Sequence, residues 1–174
     1  IIVFALNTGM RRGEILNLQW QAVDLTRQVL VVMRSKNGEK RTVPLNGRLT
    51  ELLQRKAPKK TTGSFVFASS AETLVDARNL TRAFRLAAKK AELIDFRFHD
   101  LRHTFATRLA QAGVDLYKVQ RLLGHKTAAM TQRYAHHSPE SLREGVLILE
   151  RVHPQISQKY HNEGATVGGC CASA

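Results

Sequence analysis

Six polar residues lie where one predicted secondary-structure element ends or the next begins, in settings that a hydrophobic core would not choose. They are Arg11, Lys36, His99, Arg102, His125 and Tyr134. Side chains at such boundaries can converge on a ligand from several elements. Guanidinium and ammonium groups bind anionic oxygens, imidazoles exchange protons near neutral pH, and a phenol can act as a nucleophile. The set is therefore suited to chemistry on an anionic substrate.

The overall charge also points to an anionic partner. The 174 residues include 27 Lys and Arg against 14 Asp and Glu, a formal net charge of +13. The excess is spread along the chain and is strongest in residues 1–60, which carry 12 basic and 4 acidic residues. A domain that is basic throughout predicts a polyanion as partner. Nowhere do 18 apolar residues run unbroken, so no membrane span is expected.

The apolar periodicity predicts a mainly α-helical (α+β) chain with one small antiparallel β-hairpin. The hairpin strands are predicted at 28–33 and 41–45, joined by the Asn37-Gly38 turn, and an isolated strand at 65–67. Asp100 and Asp115 are predicted helix N-caps. Helices are expected at the end of 1–6 and at 14–18, 47–56, 74–92, 101–112, 115–123, 127–134 and 138–152, with Gly113 and Gly124 ending two of them.

Five segments connect the six residues to a known pattern. In chain order they are TGMRRGEIL, SKNGEKRTVPL, HDLRHTFAT, LLGHK and, nine residues after His125, Tyr134. Through these segments the chain resembles the catalytic domain of the tyrosine recombinase (phage integrase) family from Ile1 to about Val152. Each motif alone is weak evidence for the family, but all five occur in the order that the family has. The resemblance implies a tyrosine-recombinase-like catalytic domain over residues 1–152.

The resemblance implies DNA strand transfer through Tyr134. The phenol would attack a DNA phosphodiester and form a 3′-phosphotyrosyl link, which a second DNA end can reverse. Charge develops on the phosphate oxygens during that attack, and the forked guanidiniums of Arg11 and Arg102 match phosphate geometry. A free phenol has a pKa of about 10, so the nucleophile needs a base or a cationic setting.

The remaining roles follow the family. His99 is the candidate proton acceptor, and His125 would donate a hydrogen bond to a phosphate oxygen. Lys36 would protonate the leaving 5′-oxygen, although its basic neighbours make a plain DNA-backbone contact an equal alternative. Glu14 would orient a site residue. The scheme needs no nucleotide cofactor and no metal, although His99 and His103 are spaced as an i, i+4 zinc pair could be.

The resemblance also implies partners and a setting. Double-stranded DNA is the expected substrate, and family members assemble as tetramers on DNA. The apolar run Val146 to Leu149 would either cover this domain's core or dock on a neighbouring protomer through the 138–152 helix. Residues 153–174 are predicted to be a flexible tail, and the chain is expected to be a fragment that lacks an N-terminal DNA-clamping domain. Adjacent Cys170 and Cys171 fit a reducing bacterial or phage-host cytoplasm.

Two other functions stay open on the sequence alone. A non-catalytic helix-turn-helix module would explain the charge, with Thr131, Gln132 and Arg133 facing a major groove. A topoisomerase or resolvase would use a similar pocket to relax or close DNA. Taken singly, each arginine would more often be a solvated turn residue, each histidine a cap, and Tyr134 a core residue. The polar residues beside Tyr134 favour a phenol that faces a wet, basic cleft.

Overall fold

The described ranges contain short helices around a small sheet. The computed structural model describes residues 1–33, 40–57, 64–135, 143 and 146–149. In chain order the elements are α1 (Ile2–Thr8), α2 (Arg12–Leu16), a 3-10 turn (Trp20–Ala22), β1 (Val23–Asp24), β2 (Val29–Met33), β3 (Lys40–Pro44), α3 (Gly47–Lys56), α4 (Ala77–Lys90), α5 (Asp100–Gln111), α6 (Leu116–Leu123) and α7 (Ala129–Gln132). The predicted mainly helical class with a small antiparallel sheet is confirmed.

The sheet supplies one wall of the core. Its three strands are antiparallel in the order β1-β2-β3, with Leu30 opposite Val43. Successive side chains of a strand point to opposite faces. Leu30, Val32 and Val43 therefore share one face, and all three are buried. The predicted hairpin is present as β2 and β3, whereas its Asn37-Gly38 turn lies outside the described residues.

Helix α5 connects two apolar clusters. Leu101, near its start, belongs to the larger cluster, which includes Phe4, Ile15, Leu30, Leu49, Leu53 and Phe84. One turn later, Phe105 and Ala106 belong to a second cluster with Val119, Leu123 and Tyr134. Arg102 lies between these positions and is only 3% exposed. A charged side chain is thus held inside the protein at the junction of the two clusters.

Several helix boundaries follow predicted signals. Asn46 caps α3 by accepting the Leu49 amide N–H at 3.0 Å, and α3 spans the predicted 47–56. Asp115 caps α6 as predicted, accepting from the amides of Tyr117 and Lys118. Asp76 caps α4 in the same way, so this helix begins three residues later than predicted.

Three predictions of local structure are wrong. Asp100 is the first residue of α5 and its N-cap is His99; the Asp100 carboxylate instead accepts the Arg97 amide N–H at 2.6 Å. Residues 65–67 do not form a strand: Phe65 makes an isolated bridge with Gln19, and the chain then turns. The predicted α7 is also shorter, Ala129–Gln132, because the turn at residues 133–134 ends it.

The end of the chain is only partly described. Arg143 and residues 146–149 are helical, and their side chains are exposed. The rest of the predicted 138–152 helix and the predicted tail at 153–174 lie outside the described residues. Within the described ranges, no helix has both the length and the apolar character needed to cross a bilayer.

Gly9 allows α1 and α5 to pack closely. It ends α1 in the left-handed conformation, with φ of 60°, and its amide N–H bonds the Ala5 carbonyl. A Cβ built on Gly9 would lie 2.4 Å from Cδ1 of Phe105 and 2.9 Å from Cδ2 of Leu123. Both the backbone angle and the space therefore require glycine here.

Gly9→Ala should destabilise the fold strongly. The left-handed conformation costs an alanine about 1–2 kcal/mol, and overpacking the core adds about 1–3 kcal/mol. Urea denaturation should show a loss in the free energy of unfolding of about 2–5 kcal/mol. The matched control is Gly113→Ala, because Gly113 also has positive φ (75°) but no atom of the described part of the chain lies within 4 Å of its added Cβ. Equal losses in the two variants would contradict the packing argument.

Candidate active site

Glu14 joins two arginines from different elements. Its carboxylate accepts the Arg11 backbone N–H at 2.8 Å and lies 3.2 Å from the Arg11 guanidinium. Arg41, on β3, donates from Nη1 and Nη2 to the two carboxylate oxygens at 2.8 and 2.6 Å. This two-pronged pairing is the strongest geometry for a guanidinium and a carboxylate. Glu14 thus fixes the start of α2, where Arg11 is the N-cap.

The environment of Glu14 favours its ionised form. Burial by itself raises the carboxyl pKa, but the hydrogen bonds and charges of Arg41 and then Arg11 outweigh burial and lower the pKa to about 2. Glu14 and Arg41 side chains are 14% and 10% exposed, whereas Arg11 is 39% exposed. Of the two arginines that bind Glu14, Arg11 is therefore the one whose side chain is open to solvent.

Arg41 was not among the predicted site residues. Its guanidinium is bound to Glu14 and, through Nε, to the Leu122 carbonyl at 3.1 Å. A Cβ on Gly124 would lie 2.9 Å from Cδ of Arg41, so that glycine makes room for the arginine. Arg41 therefore positions Glu14 and the end of α6.

Arg102 joins the C-terminal ends of two helices. Its Nη1 donates to the Gly9 carbonyl, at the end of α1, at 2.6 Å, and its Nη2 donates to the Leu123 carbonyl, at the end of α6, at 2.8 Å. The last carbonyls of a helix lack partners within the helix and carry partial negative charge. These two bonds use two of the five N–H donors of the guanidinium. Arg102 therefore has a structural role in addition to the phosphate contact predicted for it.

The guanidiniums influence one another. Burial and then the positive charge of Arg11 lower the pKa of Arg102 to about 10, while Glu14 opposes the shift. Arg102 is still a cation at neutral pH. The Glu14 carboxylate contacts the guanidiniums of Arg11 and Arg41 and acts on that of Arg102 through its charge. Three cations against one anion leave a local excess of positive charge, which favours binding of an anion.

The predicted nucleophile is bonded to an imidazole that the sequence analysis did not assign to it. Tyr134 Oη lies 2.6 Å from Nδ1 of His103, the residue directly after Arg102. The Tyr134 side chain lies in the second apolar cluster and is 5% exposed. Burial raises the pKa of its phenol, while the charges of Arg133 and Arg102 oppose this shift. The expectation of a phenol facing a wet, basic cleft is therefore wrong for this arrangement.

His99 contacts the same imidazole from the other side. The rings of His99 and His103 meet edge to face, with centroids 4.9 Å apart, as expected for residues one helical turn apart. Partial burial lowers the pKa of His99, and the charges of His103 and Arg102 lower it further. His99 is thus mainly neutral at neutral pH. No group of three His, Cys, Asp or Glu suited to holding a metal ion occurs in the described ranges.

His125 lies at the start of the loop between α6 and α7. Gly124 ends α6 with φ of 65°, and His125 Nδ1 lies 2.9 Å from Thr131 Oγ1. Thr131 is 2% exposed, so it cannot face a DNA groove as the helix-turn-helix alternative requires. The helix that would read the groove is also only four residues long. Both findings contradict that alternative.

An open cleft of about 830 Å³ adjoins Arg11. Arg11 and Glu14 line it on one side, strand β2 on another, and Lys126 and Met130 also contribute. Of the predicted set, the structure thus connects Arg11, Glu14, His99, Arg102 and Tyr134 through contacts or charges, with His125 one residue beyond Gly124. Lys36 lies outside the described residues.

Sequence comparison assigns the chain to a family. The model of the phage integrase family matches residues 1–141. The chain belongs to the phage integrase family. The integrase of Salmonella phage P22 is 33% identical to this family member over 94% of the chain, and XerA of Saccharolobus solfataricus is 35% identical over 84%. The chain spans about half the length of these relatives, 46% and 48% respectively.

Solved structures of this family share the fold. The catalytic domain of bacteriophage HP1 integrase superposes with a TM-score of 0.66 at 29% identity, covering 88% of this chain and 82% of that one. A XerH recombinase bound to its difH substrate gives a TM-score of 0.69 at 28% identity, covering 86% and 45%. The predicted tyrosine-recombinase-like fold is thereby confirmed.

The Glu14 cluster predicts a pH-dependent loss of stability. Because the folded-state pKa lies below the unfolded-state value of about 4.3, Glu14 stabilises the fold above that value and loses this effect as the pH falls towards 2. Glu14→Gln should lower the free energy of unfolding at pH 7 by about 3 kcal/mol, at about 1.4 kcal/mol per pKa unit. Urea denaturation at several pH values should show the gap to the wild type closing between pH 4.5 and 2.

Glu51→Gln is the matched control. Glu51 pairs with Arg55 on the surface, where both side chains are more than half exposed. Such pairs contribute about 0–1 kcal/mol, so this variant should stay close to the wild type at every pH. If the difference in the free energy of unfolding between Glu14→Gln and the wild type does not change with pH, the assigned role of the carboxylate is refuted.

Proposed function

We propose that this protein is a site-specific DNA recombinase that cuts and rejoins strands through a 3′-phosphotyrosyl link to Tyr134. The observation that carries the proposal is the connection of Tyr134, through His103, to the helix turn that holds Arg102, beside Arg11. A phenol, imidazoles and an excess of guanidiniums suit nucleophilic attack on a phosphodiester without a cofactor. Relatives named integrase, shufflon-specific DNA recombinase and tyrosine recombinase support it.

In the proposed reaction, the Tyr134 oxygen bonds to phosphorus and the 5′-oxygen leaves. Arg11, through its open side, and the remaining N–H donors of Arg102 stabilise the charge on the non-bridging oxygens. His125 donates to a phosphate oxygen, and Lys36 protonates the leaving oxygen. His99 belongs to the base side of the reaction, as the family resemblance implies. Reversal by a second 5′-hydroxyl rejoins the strands.

The proposal requires the phenol to be uncovered when DNA binds. Tyr134 is 5% exposed and cannot touch a phosphate in the position described. It lies two residues after the one-turn helix α7, in a turn that bonds back to the Thr131 carbonyl. A rearrangement of this turn would have to expose both the hydroxyl and the remaining N–H donors of Arg102, which is 3% exposed and is held from α5.

Helix α4 offers a surface for the DNA backbone. Arg78, Arg82, Arg85 and Lys89 are spaced at intervals of four, three and four residues, so they lie along one helix face, and all are exposed. Arg12, the neighbour of Arg11, lines the same depression, and its guanidinium donates to Thr81 Oγ1 at 2.6 Å. Among the residues that the structure describes, none that lines this depression is acidic. The basic face thus extends from the Arg11 region along α4.

We also propose with what the protein assembles and where in the cell it acts. Double-stranded DNA is the partner, as in the XerH complex with difH. Exchange of two duplexes takes four cleavages, so a tetramer on DNA is proposed. The exposed apolar residues of the last helix, Val146 to Leu149, are proposed to dock on a neighbouring protomer. The protein would act in the cytoplasm of a bacterium or phage host, with residues 1–152 as its catalytic domain.

Tyr134→Phe should abolish covalent attachment to DNA. A nicked substrate traps the intermediate because the short cleaved strand diffuses away, and a denaturing gel then displays the protein–DNA adduct. The matched control is Tyr117→Phe, which changes an exposed tyrosine on α6 and should retain the adduct. An adduct in Tyr134→Phe would remove this residue from the mechanism. Joining of two separate duplexes, rather than relaxation of one plasmid, distinguishes a recombinase from a topoisomerase.

Arg82→Ala should weaken DNA binding without sequence dependence. A lost phosphate contact lowers the steepness of the salt dependence, the slope of log K against log salt, by about 1. Fluorescence anisotropy at several salt concentrations measures this slope. Arg27→Ala is the matched control, because Arg27 lies 84% exposed in the turn between β1 and β2. An unchanged slope in Arg82→Ala would exclude the α4 face as the DNA contact.

A further inference from the structure

His103 lies between the predicted nucleophile and the more exposed His99. On α5 it follows Arg102 directly, and its ring is half-buried, while Tyr134 is buried. Its Nδ1 lies 2.6 Å from the Tyr134 hydroxyl oxygen, a short hydrogen-bond distance, and the tautomer of the imidazole decides which of the two atoms donates. Its ring also meets the edge of His99 at 4.9 Å between centroids. The three rings therefore form a contiguous row from a buried phenol towards the surface.

We propose that His103 is a catalytic residue whose Nδ1 takes the proton from the Tyr134 hydroxyl as that oxygen attacks the phosphate. This inference rests on the proposed function and refines the base side of it. In the family resemblance, His99 was the candidate acceptor. In the structure, the imidazole in direct contact with the reacting oxygen is His103, and His99 contacts His103.

The geometry gives Nδ1 of His103 the position that a general base needs. A base must lie within hydrogen-bond distance of the proton that it removes, about 2.6–3.2 Å between heavy atoms. His103 directly follows Arg102 on α5, and the guanidinium of Arg102 binds the Gly9 and Leu123 carbonyls. The base and the phosphate-binding arginine are thus held by the same turn of α5. Movement of Tyr134 towards a phosphate must therefore keep or remake the His103 contact.

The proton and electrons balance within the groups already named. The Tyr134 O–H bond breaks, its proton moves to Nδ1 of His103, and the oxygen forms a bond to phosphorus. The bond from phosphorus to the 5′-oxygen breaks, and that oxygen takes a proton from the general acid assigned to Lys36. In rejoining, a 5′-hydroxyl attacks, the phenolate leaves, and the His103 imidazolium returns the proton to it.

His99 has a defined part in this arrangement. Its contact with the His103 ring means that two imidazolium charges would repel each other across 4.9 Å. A neutral His99 avoids this repulsion when His103 is protonated. In this assignment His99 is a positioning residue for His103, and its substitution should alter the rate without removing the base.

The first test needs no DNA cleavage. Nitrogen-15 NMR of histidine-labelled protein distinguishes the two neutral tautomers of His103, with His103→Asn assigning the signals. We expect Nδ1 without a proton and Nε2 with one, because the phenol then donates to Nδ1. A neutral His103 that carries its proton on Nδ1 would make the phenol the acceptor and overturn the proposal. This result can be read whether or not the protein cleaves DNA.

The second test follows adduct formation on the nicked substrate. His103→Asn should form the adduct at least about 10²-fold more slowly, the usual contribution of a general base, with DNA affinity and thermal stability near those of the wild type. The rate of the variant should rise about tenfold per pH unit above neutral pH, because it depends on phenolate formed without a base. The wild-type rate should depend less steeply on pH in the same range, because it does not require free phenolate. His99→Asn, the same change one turn earlier, should keep the shallow pH dependence of the wild type.

A third variant separates chemistry from structure. His103→Ala leaves a space beside the phenol, and added imidazole should restore adduct formation in proportion to its concentration. Wild-type or faster cleavage by His103→Asn would mean that the bond merely restrains Tyr134, and would overturn the proposal. If the wild type forms no adduct, or Tyr134→Phe still forms one, the proposed function fails instead, and the tautomer measurement still decides the His103–Tyr134 contact.

Discussion

The buried guanidinium of Arg102 determines how the rest of the site is arranged. It bonds the Gly9 and Leu123 carbonyls, and these belong to helices α1 and α6, which are far apart in the sequence. Burying an isolated cation costs several kcal/mol, but helix C-termini carry partial negative charge and orphan carbonyls. The charge therefore survives burial, and the loops after both helices are fixed relative to α5. In the first loop, Arg11 lies two residues after Gly9. In the second loop, His125 lies two residues after Leu123.

Arg41 acts on the same helix end. It bonds the Leu122 carbonyl while Arg102 bonds the Leu123 carbonyl, so two cations meet the last turn of α6. Arg41 also binds Glu14, and Glu14 holds the backbone of Arg11. One carboxylate cannot neutralise three guanidiniums, and that of Glu14 is bound mainly by Arg41. The uncompensated charge is thus left on Arg11 and Arg102, where a phosphate is proposed to bind.

The sequence predicted those features that depend on neighbouring residues. The bounds of α3, the Asp115 cap and the hairpin strands depend on local patterns, and they are present as expected. The pairing of Glu14 with Arg41 joins residues 27 positions apart and could not be read from spacing. His103 was visible as a histidine beside Arg102, but its contact with Tyr134 depends on how α5 packs against the α7 turn. Asp100 looked like a cap, yet its carboxylate bonds the loop before the helix because α5 begins one residue earlier.

Burial of Tyr134 links the reactivity of this proposed nucleophile to its position. The largest influence on its phenol is burial, which raises the pKa, while Arg133 and Arg102 act in the opposite direction. In the buried position the hydroxyl keeps its proton and bonds to His103, so it is a poor nucleophile. Uncovering the oxygen removes the largest opposing influence and leaves the two arginines, which favour phenolate. A rearrangement that brings the oxygen to a phosphate therefore also activates it, and attack at other times is suppressed by the apolar cluster around the ring.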